Sequence, residues 1–337
     1  MTEPLVRTEP DYQNGNGAIT YPSELLVPGA REAEQPQGTG IGSGDQHGLA
    51  GDTKSQTRIV LGRFFRQPLA IIGLVVFALM GISAVVVGHV WKYGWAQITN
   101  TYATGPSWAH PFGTDDIGHD IFAETFRGIE KDIQTALLVA ILSAVVGVTI
   151  GACAGFFRGW VDSLLMRFVD LILTVPLLAI LIVLSNIWAS QAGSWFTIAI
   201  IIGVLSWTYM ARLVRADFLS LREREFVEAS RALGASNSRI IVRHLMPNAL
   251  STIIVNSTLT IAAAIVIEST LSFLGLGIQA PDVSLGLLVA AAQDSATTQW
   301  WLFAFPAAFL VVLIMSVFLI GDGLREAFDP KKTRVRA

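Results

Sequence analysis

The chain has 337 residues, 52% of them hydrophobic and 15% charged, with a formal net charge of −3. Soluble domains carry about 25% charged residues, and the shortfall here, with a mean hydropathy of +0.55, excludes an ordinary water-soluble globule and makes lipid the solvent for much of the chain. The near-neutral charge gives no basis for nucleic-acid binding, and a single cysteine, Cys153 within an apolar run, excludes an intrachain disulfide or a thiolate metal cluster.

Residues 1–57 contain the stretches Asn14-Gly15-Asn16-Gly17 and Gly38-Thr39-Gly40-Ile41-Gly42-Ser43-Gly44, with no apolar run of the kind a cleavable signal carries. Such a composition buries too little apolar surface to offset chain entropy, so this segment is predicted to be a disordered tail. Membrane-spanning structure is expected over 58–330. A basic tail, 331–337, follows, with Lys331, Lys332, Arg334 and Arg336.

The first predicted span is 69–90, roughly 33 Å at 1.5 Å per residue, with Pro68 where a helix tolerates proline, in its first turn. Further spans are predicted at 133–156, 164–188, 195–213, 249–272 and 301–320, none with Lys or Arg near its middle. The fold class is therefore an all-α polytopic membrane protein with about six transmembrane helices.

Placing the N-terminus inside puts all but Lys92, Arg127 and Lys131 of the 23 Lys and Arg residues on the cytoplasmic face. Basic loops resist translocation, so both termini are predicted to be cytoplasmic in a multi-pass protein of the cytoplasmic membrane. The outside loop 91–132 is then acidic, and 273–300 includes the short apolar stretch 284–292, predicted as a re-entrant or interfacial helix.

The inside loop 214–248 divides into two short predicted helices. The first, 223–233, begins with acidic residues, has Arg231 in its last turn, and ends at Gly234, which suits the left-handed closing conformation. Phe226, Ala229 or Ser230, and Leu233 share one face at helical spacing, while Arg224, Glu225, Glu228 and Arg231 mark the other. Small residues there favour docking into a protein groove over lying on lipid, which would need bulkier apolar residues and a purely basic face. Ser236 is a predicted cap for the second helix, and Pro247 is predicted to restart the chain into the fifth span.

Glu228-Ala229-Ser230, then Gly234, then His244-Leu245-Met246-Pro247, resembles the EAA loop of binding-protein-dependent ABC importer permeases, with Ser230 in place of the usual second alanine. Gly113-Thr114-Asp115-Asp116-Ile117-Gly118-His119-Asp120, Phe273-Leu274-Gly275-Leu276-Gly277, Gly321-Asp322-Gly323-Leu324-Arg325 and Asp329-Pro330 are similar to the C-type subunit of the dipeptide, oligopeptide and nickel transporter group. The family usually has arginine at the position of His119 and tryptophan at that of Leu285. The resemblance covers about residues 58–332. It implies a type I ABC importer permease fold and no catalytic residue of its own. It also implies a homologous second permease, two ATPase subunits or domains, and an extracytoplasmic binding protein, with ATP and Mg used by the partner ATPases. Phe226, Glu228, Ala229, Ser230, Arg231, Leu233 and Gly234 become the ATPase-coupling candidates. Peptides are the expected solute, with nickel or another small solute as the alternative and a secondary transporter as the rival class.

His89, His110 and His119 accompany Asp115, Asp116 and Asp120 in the outer region, but their spacing matches no compact ligand motif, so no metal site is predicted. Asp170 and Glu268 are intramembrane carboxylates, functional candidates by default; Asp170 has Arg167 three residues before it and Arg158 nearby for an ion pair. On the fifth span Thr252, Asn256 and Thr260 recur every four residues, with Ala264 continuing the stripe, to line a polar path or bond a neighbouring helix. No Gly-rich Lys-Ser/Thr phosphate loop occurs, so nucleotide falls to another chain.

Overall fold

The computed structural model describes residues 56–188 and 194–329. The predicted tails 1–57 and 331–337 lie outside the described residues, apart from 56 and 57, which open the first helix.

Helix α1 (Gln56–Phe64) leads into α2 (Pro68–Val90), with Pro68 at the first helical position as expected. Phe64, Ala70 and Ala327 form a small apolar cluster that ties α1 to the last helix. Leu69, Leu79 and Ile82 are exposed on α2, as a helix bathed in acyl chains requires. Helix α3 (Ile121–Phe157) starts well before the predicted span because Asp120 caps it, its Oδ1 accepting from the Ala123 N–H at 2.9 Å.

The third span departs from the expected straight helix. It comprises α4 (Gly159–Thr174) and α5 (Leu177–Ile187), bent by 82° at the intervening break. Pro176 offers no N–H to the preceding turn and forces Val175 into an extended conformation, ψ 132°.

Helix α6 (Trp195–Arg222) precedes the short α7 (Glu225–Ala232) and α8 (Asn237–Ile240). Pro247 does not restart the chain. A π-helical turn over 241–245 carries the chain without a break into α9 (Met246–Phe273), with the Met246 N–H bonded to the Ile241 carbonyl. The wider turn accommodates a proline whose missing N–H would otherwise interrupt the ladder. Helix α10 (Leu285–Ala291), capped by Ser284, is too short to span, as predicted, and α11 (Trp300–Phe328) completes the bundle. Among the described residues five helices are long and apolar enough to cross a membrane, and counting the bent α4–α5 pair as one span makes six. No strand is present among the described residues.

The most extensive seam joins α3 to α6. Gly147, Gly151 and Gly155 recur every four residues on α3, and a Cβ at each would come within 2.7 Å of Met210, 2.9 Å of Val214 and 2.6 Å of Phe218. Small residues at this spacing let two backbones approach where lipid supplies no hydrophobic drive. Ser143 adds a bond across the seam, donating to the Ser206 carbonyl at 3.0 Å. The main core gathers Ile129, Val139, Leu181, Ile202, Ile265 and Leu313 at the centre of the bundle.

Candidate functional site

Helix α7 stands on a single apolar anchor. Val227 is fully buried against a cluster that includes Phe156 of α3, Phe218 of α6, Ile240 of α8 and Ala249 of α9. The surrounding charges converge on Phe156: the Arg222 guanidinium donates to its carbonyl, and Arg222 and Arg231 lie 5.7 and 5.8 Å from its ring centroid.

The far end of α7 closes by a paired turn. Gly234 N–H bonds the Arg231 carbonyl at 2.9 Å and Ala235 N–H bonds the Ser230 carbonyl at 3.0 Å, with Gly234 at φ +78°. This is the Schellman arrangement, which needs a residue that tolerates positive φ. Ser230 turns its hydroxyl back to the Phe226 carbonyl at 2.7 Å. Phe226, Glu228, Ala229 and Leu233 remain exposed, Leu233 at 88%. The predicted face of 226, 229 and 233 is thus uncovered in the lone chain, and the residue that fixes the helix is one that periodicity did not single out. Eight residues with so few large apolar side chains give no sequence signal for which one turns inward.

The stripe on α9 borders two cavities, each of about 540 Å³. One lies against the α4–α5 break and is lined by Asn256, Thr260 and Ala264 together with Pro176 and Tyr209. The other is lined by Thr252 and Asn256 with Asp322 and Arg325 of α11. Asn256 and Thr260 spend hydrogen bonds on their own helix, Asn256 Nδ2 donating to the Thr252 carbonyl at 2.8 Å and Thr260 Oγ1 to the Asn256 carbonyl at 2.9 Å. The stripe therefore gives α9 a polar surface without gluing it to a neighbour.

The residues Gly113, Thr114, Asp115, Asp116, Gly118 and Asp120 build the loop that leads into α3. Asp115 Oδ1 accepts from the N–H groups of Ile117, Gly118 and His119 at 3.0, 2.6 and 2.7 Å, while its Oδ2 lies 3.0 Å from His119 Nδ1. Asp120 pairs with His110 at 2.6 Å, and the His110 ring stacks on Tyr93. The Thr114 hydroxyl accepts from the Thr104 N–H at 3.1 Å. Asp116 accepts from Gln299 Nε2 at 2.6 Å, and Gly113 lies against the Trp301 ring, too close for a side chain. These groups hold the loop onto the start of α11. No three His, Cys, Asp or Glu residues come together as a metal-binding group among the described residues.

Asp170 pairs with Arg212 of α6, neither Arg167 nor Arg158, and Arg158 instead bonds Glu223 at 2.9 Å. Glu268 is fully buried and accepts from Ser272 Oγ at 2.6 Å.

Residues 147–334 match the family model described as binding-protein-dependent transport system inner membrane component, and residues 55–106 match the N-terminal TM domain of oligopeptide transport permease C. The chain is 39% identical over 283 residues to the oligopeptide transport system permease protein OppC of Mycobacterium tuberculosis, covering 84% of this chain and 97% of that one. It is 36% identical over 290 residues to the protein of the same name from Bacillus subtilis, covering 86% and 94%. A putative peptide permease protein of Brucella suis is 40% identical over 273 residues, covering 80% and 89%. Among solved structures, an inward-facing MetNI methionine ABC transporter matches with a TM-score of 0.52 at 18% identity, covering 62% of this chain and 98% of that one, a likeness of fold. The family match over more than half the chain and these relatives over most of it agree with the helical bundle: the chain is a multi-pass membrane protein that belongs to the inner membrane components of binding-protein-dependent transport systems.

Proposed function

We propose that the chain is the C-type permease subunit of an ATP-driven peptide importer, with both termini in the cytoplasm and α7 as the element that receives force from an ATPase. The observation that carries this reading is the construction of α7. Val227 fixes it to the ends of α3, α6 and α9, while Phe226, Ala229 and Leu233 face outward with nothing on them. A helix held rigidly from one side and bare on the other transmits a push without deforming. The names of the relatives supply the solute class, and the basic flanks of the spans supply the orientation.

In this reading a homologous second permease completes the pathway, and two ATPase subunits or domains bind ATP and Mg. An extracytoplasmic binding protein delivers peptide. The stripe Thr252, Asn256 and Thr260 borders the route, and the chain performs no chemistry on what passes. Rocking of the spans between two arrangements exposes the cavity to each side in turn. The test places single cysteines at Ala229 and Leu233 in a Cys153→Ser background and assays cross-linking to the ATPase alongside peptide uptake into vesicles. Cross-links to the ATPase and uptake that requires ATP are expected. Uptake driven by a proton gradient without ATP would reject the importer in favour of a secondary transporter.

A further inference from the structure

The most deeply buried charged side chains outside the elements already assigned are two carboxylates on different helices, both beside the start of α10. Asp132 of α3 is 1% exposed and Glu268 of α9 is 0% exposed. Asp132 follows Gly128 by one turn of α3 and Glu268 adjoins Ser269 on α9, and Gly128 and Ser269 pack against Leu285 and Gly286 of α10. Around them, Ser272 Oγ donates to Glu268 Oε1 and lies 3.1 Å from Ser284 Oγ, which caps α10 by accepting the Leu287 N–H at 3.1 Å. Among the described residues no donor closes on either Asp132 oxygen or on Glu268 Oε2 to form a hydrogen bond. Helices α3, α9 and α10 meet so closely here that a Cβ at Gly128 would come 2.9 Å from the Leu285 nitrogen.

Among the described residues no cation serves the pair. Arg127 and Lys131 on α3 are directed to Asp282 in the loop before α10, at 2.8 and 3.6 Å. Lys131 also donates to Gln134 and lies over the Trp195 ring, and Arg127 bonds Glu130. The pair's other packed elements add no positive charge: α10 and α5 have no ionisable residue, and α2 has only His89, whose ring is bonded to the Val85 carbonyl. On α6 and α11 the charged residues begin at Arg212 and Asp322, toward the other end of the bundle. Glu124 is the remaining acid buried on α3. Two full negative charges enclosed without a counter-ion are not tolerated, so a positive charge must be held in the site itself. Two carboxylates and hydroxyls already engaged with each other offer too few ligands for a metal, and the described residues contain no group of three or more metal-ligating acids, histidines or cysteines.

We propose that Asp132 and Glu268 form a proton-binding site that latches α10 to α3 and α9. With the proton on, one carboxylic acid donates to the other carboxylate and the three helices stay joined. When the proton leaves to water, two like charges face each other and α10 with its 274–284 loop is pushed off the bundle. Rising pH therefore loosens the latch, and a neutral amide at Asp132 mimics the loaded state.

The experiment uses the complete transporter in nanodiscs and infrared spectroscopy, with Glu124→Gln as background to silence the other buried acid. The carbonyl stretch of a protonated carboxylic acid is expected at neutral pH, to be lost in Asp132→Asn and in Glu268→Gln. Uptake by the parent is expected to fall on the alkaline side, and that fall to be abolished in Asp132→Asn. A parent spectrum without the band overturns the proposal by itself, even if a variant fails to assemble. So does a band that survives both substitutions, or thermal stabilisation by sodium or calcium that Asp132→Asn removes. The band reports on the pair whatever solute is carried and whether or not α7 docks an ATPase.

Discussion

Arg215 of α6 holds Asp162 in the first turn of α4 through two arms of its guanidinium, Nη2 reaching Oδ2 at 2.7 Å. The pair joins the entry of the broken span to the α3–α6 seam, and its fork geometry is one that lysine does not reproduce. Arg215→Lys is expected to lower stability by about 1 kcal/mol, a partly exposed pair being discounted for solvent screening. A thermal melt of the purified complex checks this, and an unchanged midpoint would show that the fork contributes nothing.

Val227 and Leu233 separate anchoring from docking on the same helix. Val227→Ala removes a fully buried side chain and should destabilise the α7 region by roughly 2 kcal/mol, read as faster amide exchange over 225–245. Leu233→Ala, at a position exposed almost completely, should leave exchange unchanged and reduce co-purification of the ATPase. Glu228→Lys, likewise exposed, should reduce it too. Equal exchange rates in the two alanine variants would dissolve the distinction.

Gly234 has no atom within 4 Å of where a Cβ would stand, so a substitution there is strained by conformation and not by collision. Gly234→Val should cost about 1–2 kcal/mol through the forced positive φ and sharply lower ATP-driven uptake while the protein still inserts. Gly234→Asn, which tolerates that backbone, should keep most of the uptake. If valine and asparagine behave alike, the turn does not set the position of α7.

Because Asn256 and Thr260 bond only along their own helix, bulk added there should fill the cavity without loosening the bundle. Thr260→Trp is expected to reduce peptide uptake at least tenfold with ATPase attachment and melting temperature kept. Undiminished uptake would move the route away from α9.

Hydropathy and charge made the spans legible because lipid imposes length and apolarity on every crossing. The effect of a proline is less legible. Pro176 breaks the third span by removing a hydrogen bond, whereas Pro247 breaks nothing because a π turn absorbs it. A sequence gives the same residue in both places and not the turn around it. The sequence offers Asp170 the arginines on its own stretch of chain, but pairing across helices follows packing register, which brings Arg212 to it instead. The Gly113–Asp120 pattern is legible as a motif, and its tasks as turn and helix cap are local, but its anchoring to Gln299 and Trp301 depends on residues nearly two hundred positions away.

Helix α3 begins at the cap formed by Asp120 and ends beside Phe156, under α7. Its 37 residues make a rod about 56 Å long at 1.5 Å per residue, so a tilt of roughly 5° at one tip displaces the other by about 5 Å. The glycine seam forbids α6 from lagging behind. A small angular input near Phe156 thus arrives at the His110–Asp120 loop as a movement wider than a water molecule, geared up by length alone.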